Sequence, residues 1–354
     1  MGQMGFFDLS ERYEGLDNKR DPLPLLASVV DWEAFRPQLR AALQASGRRK
    51  PEVAGSRAAG RKPWDEVLVF KALILQALYN LSDEQTEYQL RDRLSFMRFL
   101  GLGLEDPVPD ATTLWLYREA LTQAGMVEKL FDSFDASLCA QGYRAMGGQI
   151  VDACIVEAPR QRNTREENEA VKAGKVPRKW QAKRAKAKLR QKDLDARWVQ
   201  KHGQNYYGYK NHISIDRKHK LIRRYQVTDA ARHDSCEFEH LLDDKNSCAD
   251  VWADSAYRSA PAEAMLEANG LRSRVHRRGA RSHPLSAREI AGNTTRSRVR
   301  ARVEHVFGHH ATAMNATLIR TVGLVRAKAK IGLTNLAYNM SRLGCLHRKA
   351  FASA

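Results

Sequence analysis

Cysteine is scarce in this chain, and its few cysteines are not grouped. The 354-residue sequence contains five, an odd number, and no two of them form a C-x-x-C pair. They are Cys139, Cys154, Cys236, Cys248 and Cys345. A disulfide framework needs paired cysteines and a structural zinc site needs clustered ones, so we expect neither. The pattern is typical of a protein from a reducing, cytoplasmic compartment.

Long apolar segments are lacking too. No run approaches the roughly 18–20 apolar residues that a membrane-spanning helix requires. The first ten residues, MGQMGFFDLS, contain no basic segment followed by an apolar core, so a secretory signal is not predicted. We therefore expect a soluble protein with no membrane partner.

Acidic residues are outnumbered by basic ones. The chain has 59 Lys and Arg against 41 Asp and Glu, a formal net charge of +18. Such an excess attracts polyanions and commonly marks nucleic-acid binding. A well-solvated basic protein, or one that lies on an anionic membrane, would have the same balance. Arginine clusters outnumber amphipathic, membrane-type stretches here, which favours nucleic acid.

The first part of the chain, residues 1–145, has the periodicity of helices. Residues 64–79 are strongly apolar, and Ser82-Asp-Glu-Gln85 resembles the capping segment that opens a helix. We predict an all-helical N-terminal domain here, which binds DNA, dimerises or does both.

The pattern changes to that of strands at about residue 146. Residues 149–156 are rich in β-branched side chains, and residues 206–215 and 221–227 read as a hairpin. Strands interspersed with helices predict an α/β domain over 146–345, built on a mixed sheet flanked by helices. Residues 346–354 are expected to form a C-terminal tail.

Three carboxylates have the surroundings of a catalytic site. Asp152 is the only charged residue between Met146 and Val156, and Asp254 ends the apolar run Val251-Trp-Ala. Glu304 lies in a helix-like segment. An ionised carboxylate in an apolar strand needs a partner, and a metal ion is one. Two divalent ions held by carboxylates can activate an oxygen nucleophile and stabilise a leaving oxygen in phosphodiester cleavage. The alternatives are a strand Asp that caps a loop and, for Glu304, a surface pair with arginine.

Basic residues outside this trio are candidates for DNA contact. Residues 160–192 contain thirteen Lys and Arg, three Glu and almost no large apolar residues. This part of a basic insertion at 160–204 is either a solvated surface segment or an electrostatic arm for phosphates. A second pair of candidates is Lys210 and His212 on a predicted strand, although a histidine on a sheet face often only packs against its neighbours. The candidate DNA contacts are Lys210, His212, Arg178, Lys179, Lys183, Arg184, Arg296, Arg300 and Arg302.

Several segments together resemble one family. They are FKALILQALY at 70–79, YQLRDR at 88–93, PDATTL at 109–114, VDACIVEAP at 151–159, YGYKNH at 207–212, ARHDS at 231–235, ADSAY at 253–257 and the Arg300-x-x-x-Glu304 spacing. The chain resembles bacterial DDE transposases of the insertion-sequence-five family, within the insertion-sequence-four-like superfamily. The resemblance extends over nearly the whole chain.

The resemblance implies an RNase H-like catalytic core. In it Asp152, Asp254 and Glu304 would be the catalytic residues and would bind two Mg²⁺ ions, for which Mn²⁺ could substitute. It further implies cleavage and strand transfer at the terminal inverted repeats of a mobile element, on double-stranded end and target DNA. Pairing two ends calls for a homodimer or a higher oligomer. Such a protein would act in the bacterial cytoplasm and associate with the nucleoid when bound to DNA.

Two positions depart from the pattern of the superfamily. Ala311 stands where a Lys or Arg is frequent, seven residues after the glutamate, and His309 or His310 could substitute for it. Ser297 stands where a Tyr is frequent, three residues before the arginine. Two alternatives to an active transposase therefore stay open: a DNA-binding protein that kept the fold and lost catalysis, and a nuclease that cleaves without strand transfer.

Overall fold

The structure, a computed structural model, describes residues 8–48, 63–182, 186–201, 203–280 and 282–352. It divides into a helical unit, Met1–Phe134 with Leu336–Ala354, and a sheet unit, Asp135–Asn335. The predicted boundary lay about ten residues later, and residues 346–354 were predicted to be a tail. Instead the last helix, α14, runs over Leu324–Ala352 without a break at 346. Leu336, Met340 and Leu343 continue the helical spacing and are all buried, which explains why the helix continues.

The helical unit has the all-helical character expected from its periodicity. Its helices are α1 (Asp8–Asn18), α2 (Leu23–Val29), α3 (Arg36–Ala45), α4 (Glu66–Tyr79), α5 (Asp83–Asp92), α6 (Leu94–Leu100), α7 (Ala111–Gln123) and α8 (Met126–Ala140), which extends into the sheet unit. α4 is apolar on nearly all sides and buried along most of its length, so it forms the core of this unit. The capping box predicted at Ser82 is confirmed, with Gln85 as its reciprocal partner at the start of α5.

The sheet unit is built on a six-stranded mixed sheet. Its strands are β1 (Gln149–Glu157), β2 (Arg197–Lys201), β3 (Gln204–Asp216), β4 (Ile222–Asp229), β5 (Asp250–Trp252) and β6 (Arg272–Ser273). The order is β2-β3-β1-β5-β6, and β4 also pairs with β3. β1, β3 and β4 are antiparallel in turn, whereas β5 and β6 run parallel to β1. This order and these directions confirm the expected RNase H-like sheet flanked by helices.

Helices cover both faces of this sheet. The helices of this unit are α9 (Arg165–Lys172), α10 (Arg178–Gln181), α11 (Lys186–Arg190), α12 (Ala260–Ala268), α13 (Ala287–Thr312) and the start of α14, of which α12, α13 and α14 pack against the strands. Since side chains alternate along a strand, Val151 of β1 and Val251 of β5 point to one face and pack with Tyr257 and Leu266. Asp152 and Trp252 point to the opposite face, where α13 crosses β1 and β5.

Gly148 permits a close approach at the start of β1. Its φ is +90°, a conformation that L side chains rarely adopt. A Cβ there would lie 2.4 Å from the Trp252 ring and 2.6 Å from the Asp250 carbonyl oxygen. The glycine therefore lets the β1 backbone pack directly against the side chain that lies under α13.

The basic insertion has more internal structure than its composition suggested. α9 opens with a capping box formed by Thr164 and Glu167. Trp180 is fully buried, and its indole N–H donates to Glu167 Oε1 at 2.7 Å. The ammonium groups of Lys188 and Lys192 lie 5.6 and 5.2 Å from the centre of the Trp180 ring. One tryptophan thus gives this segment a small core, while Arg178 and Lys179 on α10 stay exposed.

Candidate active site

Asp152 of β1 and Asp254, which follows β5, lie near each other in the sheet unit. β1 and β5 run parallel, with Ile150 paired to Trp252. Asp152 lies two residues further along β1, whereas Asp254 lies two residues beyond the end of β5, as the N-cap of the 3-10 helix Ser255–Tyr257. The charge of Asp254 acts on the Asp152 carboxylate, which shows that the two side chains lie near each other. The sequence predicted two strand aspartates: Asp152 is on β1, whereas Asp254 follows β5, and the parallel pairing of β1 with β5 brings the two segments together.

Asp254 also shapes the backbone that follows it. Its Oδ1 accepts a hydrogen bond from the Ala256 N–H at 2.8 Å and caps the 3-10 helix Ser255–Tyr257. The capping alternative considered for a strand aspartate is thus realised at Asp254, through one of its two carboxylate oxygens. The cap hydrogen bond fixes the orientation of the Asp254 carboxylate. Asp254 can therefore cap the 3-10 helix through Oδ1 and bind a cation through its other oxygen.

α13 brings a charged cluster over the aspartates. The Arg300 guanidinium donates from Nη1 to Asp152 Oδ2, and its Nη2 lies 3.5 Å from Glu304 Oε1. The surface-pair alternative for Glu304 is thus present as a contact, but the same arginine also reaches the buried aspartate. Arg300 Nε is buried and has no hydrogen-bond partner within the described part of the chain. Glu304 keeps more than half of its side chain exposed.

The electrostatics show that the three carboxylates share one environment. Burial raises the pKa of Asp152 to about 6. The Arg300 charge and the Ala153 N–H, which donates to Asp152 Oδ1 at 2.8 Å, act in the opposite direction. The charges of Asp254 and Glu304 raise the pKa further. A cation that binds next to Asp152 would therefore stabilise its ionised carboxylate.

The donor set suits a hard divalent cation. All three side chains offer carboxylate oxygens, the ligands that magnesium and manganese prefer. Within the described residues, no group of three or more His, Cys, Asp or Glu side chains stands close enough to form a finished metal site. Arg300 takes the position of the counter-charge at Asp152 instead. The exposed Glu304 side chain can change rotamer, so the three residues fit a metal once Arg300 moves from Asp152.

Lys210 and His212 lie on the other face of the sheet. Lys210 Nζ donates to Asp234 Oδ1 at 2.8 Å and to the Arg232 carbonyl at 2.7 Å. His212 is fully buried, its Nε2 lies 2.9 Å from Thr228 Oγ1, and burial lowers its pKa to about 4. Both side chains are used inside the protein, so their placement gives no support to the predicted DNA contact.

The remaining DNA candidates are dispersed over the sheet unit. Arg296 is half-buried on α13, one turn before Arg300. Arg302 Nη1 donates to the Arg217 carbonyl at 2.9 Å, so it holds the turn after β3. Arg178 and Lys179 are exposed on α10. Lys183 and Arg184 lie outside the described residues.

The histidines considered as replacements for a cation at Ala311 differ from each other. His310 is buried, and this burial lowers its pKa to about 3, with the neighbouring His309 adding to the effect. A neutral imidazole cannot supply a positive charge at neutral pH. His310 is therefore a core residue, and His309, which is half-buried, is the one that could approach a phosphate.

The structure adds functional candidates that carried no sequence signal. Arg217 follows β3, Arg274 follows β6, and both line a cavity against α13 together with Trp252. His276 Nε2 lies 3.1 Å from the Ser297 hydroxyl, one turn before Arg300. Isolated basic residues after strands are common, so the sequence alone could not single out Arg217 and Arg274. Only their meeting in one cavity distinguishes them.

Comparison with known proteins gives two family matches. A model described as "Transposase domain (DUF772)" matches residues 11–120, and one described as "Transposase DDE domain" matches residues 144–340, more than half of the chain. Among solved structures, the chain is similar to that in the cryo-EM structure of the piggyBac transposase synaptic complex with hairpin DNA, with 13% sequence identity and a TM-score of 0.46. That similarity covers 94% of this chain and 75% of the other. The second family match includes Asp152, Asp254 and Glu304.

No helix in the described part of the chain is long and apolar enough to cross a bilayer.

Proposed function

Because the chain belongs to the DDE transposase family and is a DNA transposase, we propose that it cuts and joins DNA at the terminal inverted repeats of an insertion sequence. On the motifs of its sequence we assign it to the insertion-sequence-five group. The proposed catalytic residues are Asp152, Asp254 and Glu304.

One observation supports this proposal most directly. Asp152 is on β1, Asp254 follows its parallel neighbour β5, and the charges of Asp254 and Glu304 act on the buried Asp152 carboxylate. Placing two like charges near a buried carboxylate is costly without a cation. A protein that keeps such a cluster under a helix rich in arginine has a site suited to a cation and a phosphate together.

The proposed metal is magnesium, as two ions held by the three carboxylates, with manganese as a substitute. When bound, the ions would activate the attacking oxygen and stabilise the leaving oxygen of the phosphodiester. The chain's own residues do the rest of the positioning. Arg300, with a buried Nε that has no partner among the described residues, offers donors to a phosphate oxygen once its contact with Asp152 opens. The Asp254 cap keeps its carboxylate oriented.

The proposed partners are the element's double-stranded ends and the target DNA. Strand transfer joins two ends to one target, so we propose a homodimer or higher oligomer on DNA. Acting on the nucleoid, such an enzyme would work in the bacterial cytoplasm.

A cleavage and strand-transfer assay on the element's own end sequences, with Mg²⁺ or Mn²⁺, tests the proposal. Asp152→Asn, Asp254→Asn and Glu304→Gln should each abolish cleavage while DNA affinity stays within about threefold of the wild type. Asp244→Asn is the matched control, because Asp244 is an exposed carboxylate of the same unit and should retain full activity.

The same assay separates the alternatives. Hydrolysis of the ends with no joined product would identify a nuclease without strand transfer. DNA binding with no metal-dependent cleavage would identify a DNA-binding protein that has lost catalysis. Near-normal cleavage by any one of the three carboxylate variants would show that this residue is not a ligand.

A further inference from the structure

A cavity of about 410 Å³ opens between α13, β5 and the turn after β3. Arg217, Arg274 and Arg296 line it, and Trp252 and Val299 supply apolar surface. We call it the arginine pocket. Its volume is within the roughly 300–1,000 Å³ of typical ligand sites.

The arginine pocket has an excess of positive charge. Its one acidic lining residue, Asp250, already forms ion pairs with Arg272 at 3.1 Å and with Arg274 at 3.2 Å. Neither Arg217 nor Arg296 forms an ion pair with a carboxylate in the ranges that the structure describes. An anion would therefore enter the pocket with two guanidinium groups still available to it.

The two available arginines are held in place. The Arg217 guanidinium lies 5.2 Å from the centre of the Trp252 ring, and its carbonyl accepts from Arg302. Arg296 Nη1 donates to Asn293 Oδ1 at 3.1 Å. Donors that are fixed before binding lose little conformational entropy when a ligand arrives.

Arg296 also stands among like charges. Burial lowers the pKa of Arg296, and the neighbouring guanidinium groups, Arg277, Arg258 and Arg274, lower it further. A bound anion would relieve this repulsion. The pocket is therefore better suited to a phosphate than to a neutral group.

The position of the pocket relates it to the carboxylates. Arg296 precedes Arg300 by one helical turn, about 6 Å along α13. Asp250 precedes Asp254 by four residues, at most about 13 Å along an extended chain. A DNA strand advances about 3.4 Å per nucleotide, so these spacings correspond to about two to four nucleotides.

We propose that the arginine pocket binds a backbone phosphate of the DNA strand, two to four nucleotides from the phosphodiester that is cut. The inference rests on the proposed function, since it takes the three carboxylates as the place of cleavage. The bidentate guanidinium fork matches phosphate geometry, and a contact to the backbone positions the strand without reading its sequence.

DNA affinity of the full-length protein gives the first test, measured on an end-sequence duplex in EDTA so that no cleavage occurs. The double variant Arg217→Gln/Arg296→Gln, which removes the two available guanidinium groups, should bind about tenfold more weakly, the loss expected for a charge-assisted contact. Its dependence of log K on log salt should be shallower by about 1, as for one lost phosphate contact. The single variant Arg296→Gln has a matched control in Arg298→Gln, which removes the same single charge from the exposed side of α13, about 200° around the helix from Arg296.

Duplexes with a single neutral methylphosphonate locate the contact. For the wild type, substitution at one position two to four nucleotides from the cleavage site should weaken binding about tenfold. For the double variant the same substitution should have no further effect, because the two changes remove one interaction. Additive losses at every position would overturn the proposal, as would equal affinities of Arg296→Gln and Arg298→Gln.

A second variant shows whether weaker DNA binding comes from loss of the phosphate contact or from misfolding of the arginine variant. Thr295 is exposed on α13 and lines the pocket, so Thr295→Glu should fold normally and place a carboxylate in it. Weaker DNA binding by this variant is expected, and wild-type binding would contradict the proposal. Competition by inorganic phosphate with no effect of the variants on DNA affinity would identify a small-anion site and overturn it. A wild-type protein that binds no DNA would instead refute the proposed function itself.

Discussion

Replacing Asp152 by asparagine should stabilise the metal-free protein while it abolishes cleavage. Burial raises the pKa of Asp152 to about 6 from 3.8, even with Arg300 beside it. The folded protein therefore holds the proton more tightly than the unfolded chain does. This carboxyl group costs no stability below about pH 4, and the cost grows as the pH rises through about 6. Asparagine has the shape of the carboxyl group without its charge.

The magnitude follows from the size of the shift. About two pKa units, at 1.36 kcal/mol each, give about 3 kcal/mol at pH 8 and roughly half of that at pH 5. The Asp152 side chain is only 14% exposed, so solvent screening removes little of this figure. Arg300 loses its partner in the variant, but its contribution is already part of the net shift.

Urea unfolding in EDTA at pH 5 and pH 8 measures the change in the free energy of unfolding. Hydrogen exchange of the β1 segment then shows whether the change is local to Asp152. EDTA is needed because a bound metal would stabilise the wild type alone. Glu304→Gln is the control: its side chain is 55% exposed, so its stability should stay within about 0.5 kcal/mol of the wild type. An Asp152→Asn protein no more stable than the wild type at pH 8, or one equally stabilised at both pH values, would refute the reasoning.

Three further predictions concern packing and capping. Gly148→Ala should lower the free energy of unfolding in urea by at least about 3 kcal/mol, because its Cβ would overlap the Trp252 ring. Gly147→Ala is the control: its Cβ would lie 3.8 Å from the nearest atom, so only its positive φ should cost stability, about 1 kcal/mol. Equal losses would contradict this. Trp180→Ala should cost about 3–5 kcal/mol of local stability and remove amide exchange protection in α9, and unchanged protection there would count against a core in the insertion. Ser82→Ala should lower the free energy of unfolding by about 1 kcal/mol through loss of the capping box, and a neutral result would contradict the cap.

The sequence predicted the sheet more fully than the functional surface. β1 and the β3–β4 hairpin follow from alternation and β-branched content, and α5 follows from its capping box, because these signals are local. The position of the last helix was missed, since the burial of Leu336 and Leu343 depends on what they pack against. Trp180 was counted among few apolar residues, yet one buried tryptophan is enough to order part of a basic segment.

For the site, the sequence by itself determined which carboxylates stand in or directly after apolar segments and which arginines precede Glu304. Only the tertiary structure decided that Asp152 and Asp254 lie near each other, that Arg300 reaches both Asp152 and Glu304, and that Lys210 is buried on the opposite face of the sheet. The physical reason is the range of the forces involved. Periodicity and capping act within a few residues, whereas the contact of Arg300 with Asp152 joins residues 148 apart in sequence, and the arginine pocket joins residues from 217 to 299, which meet only when the chain has folded.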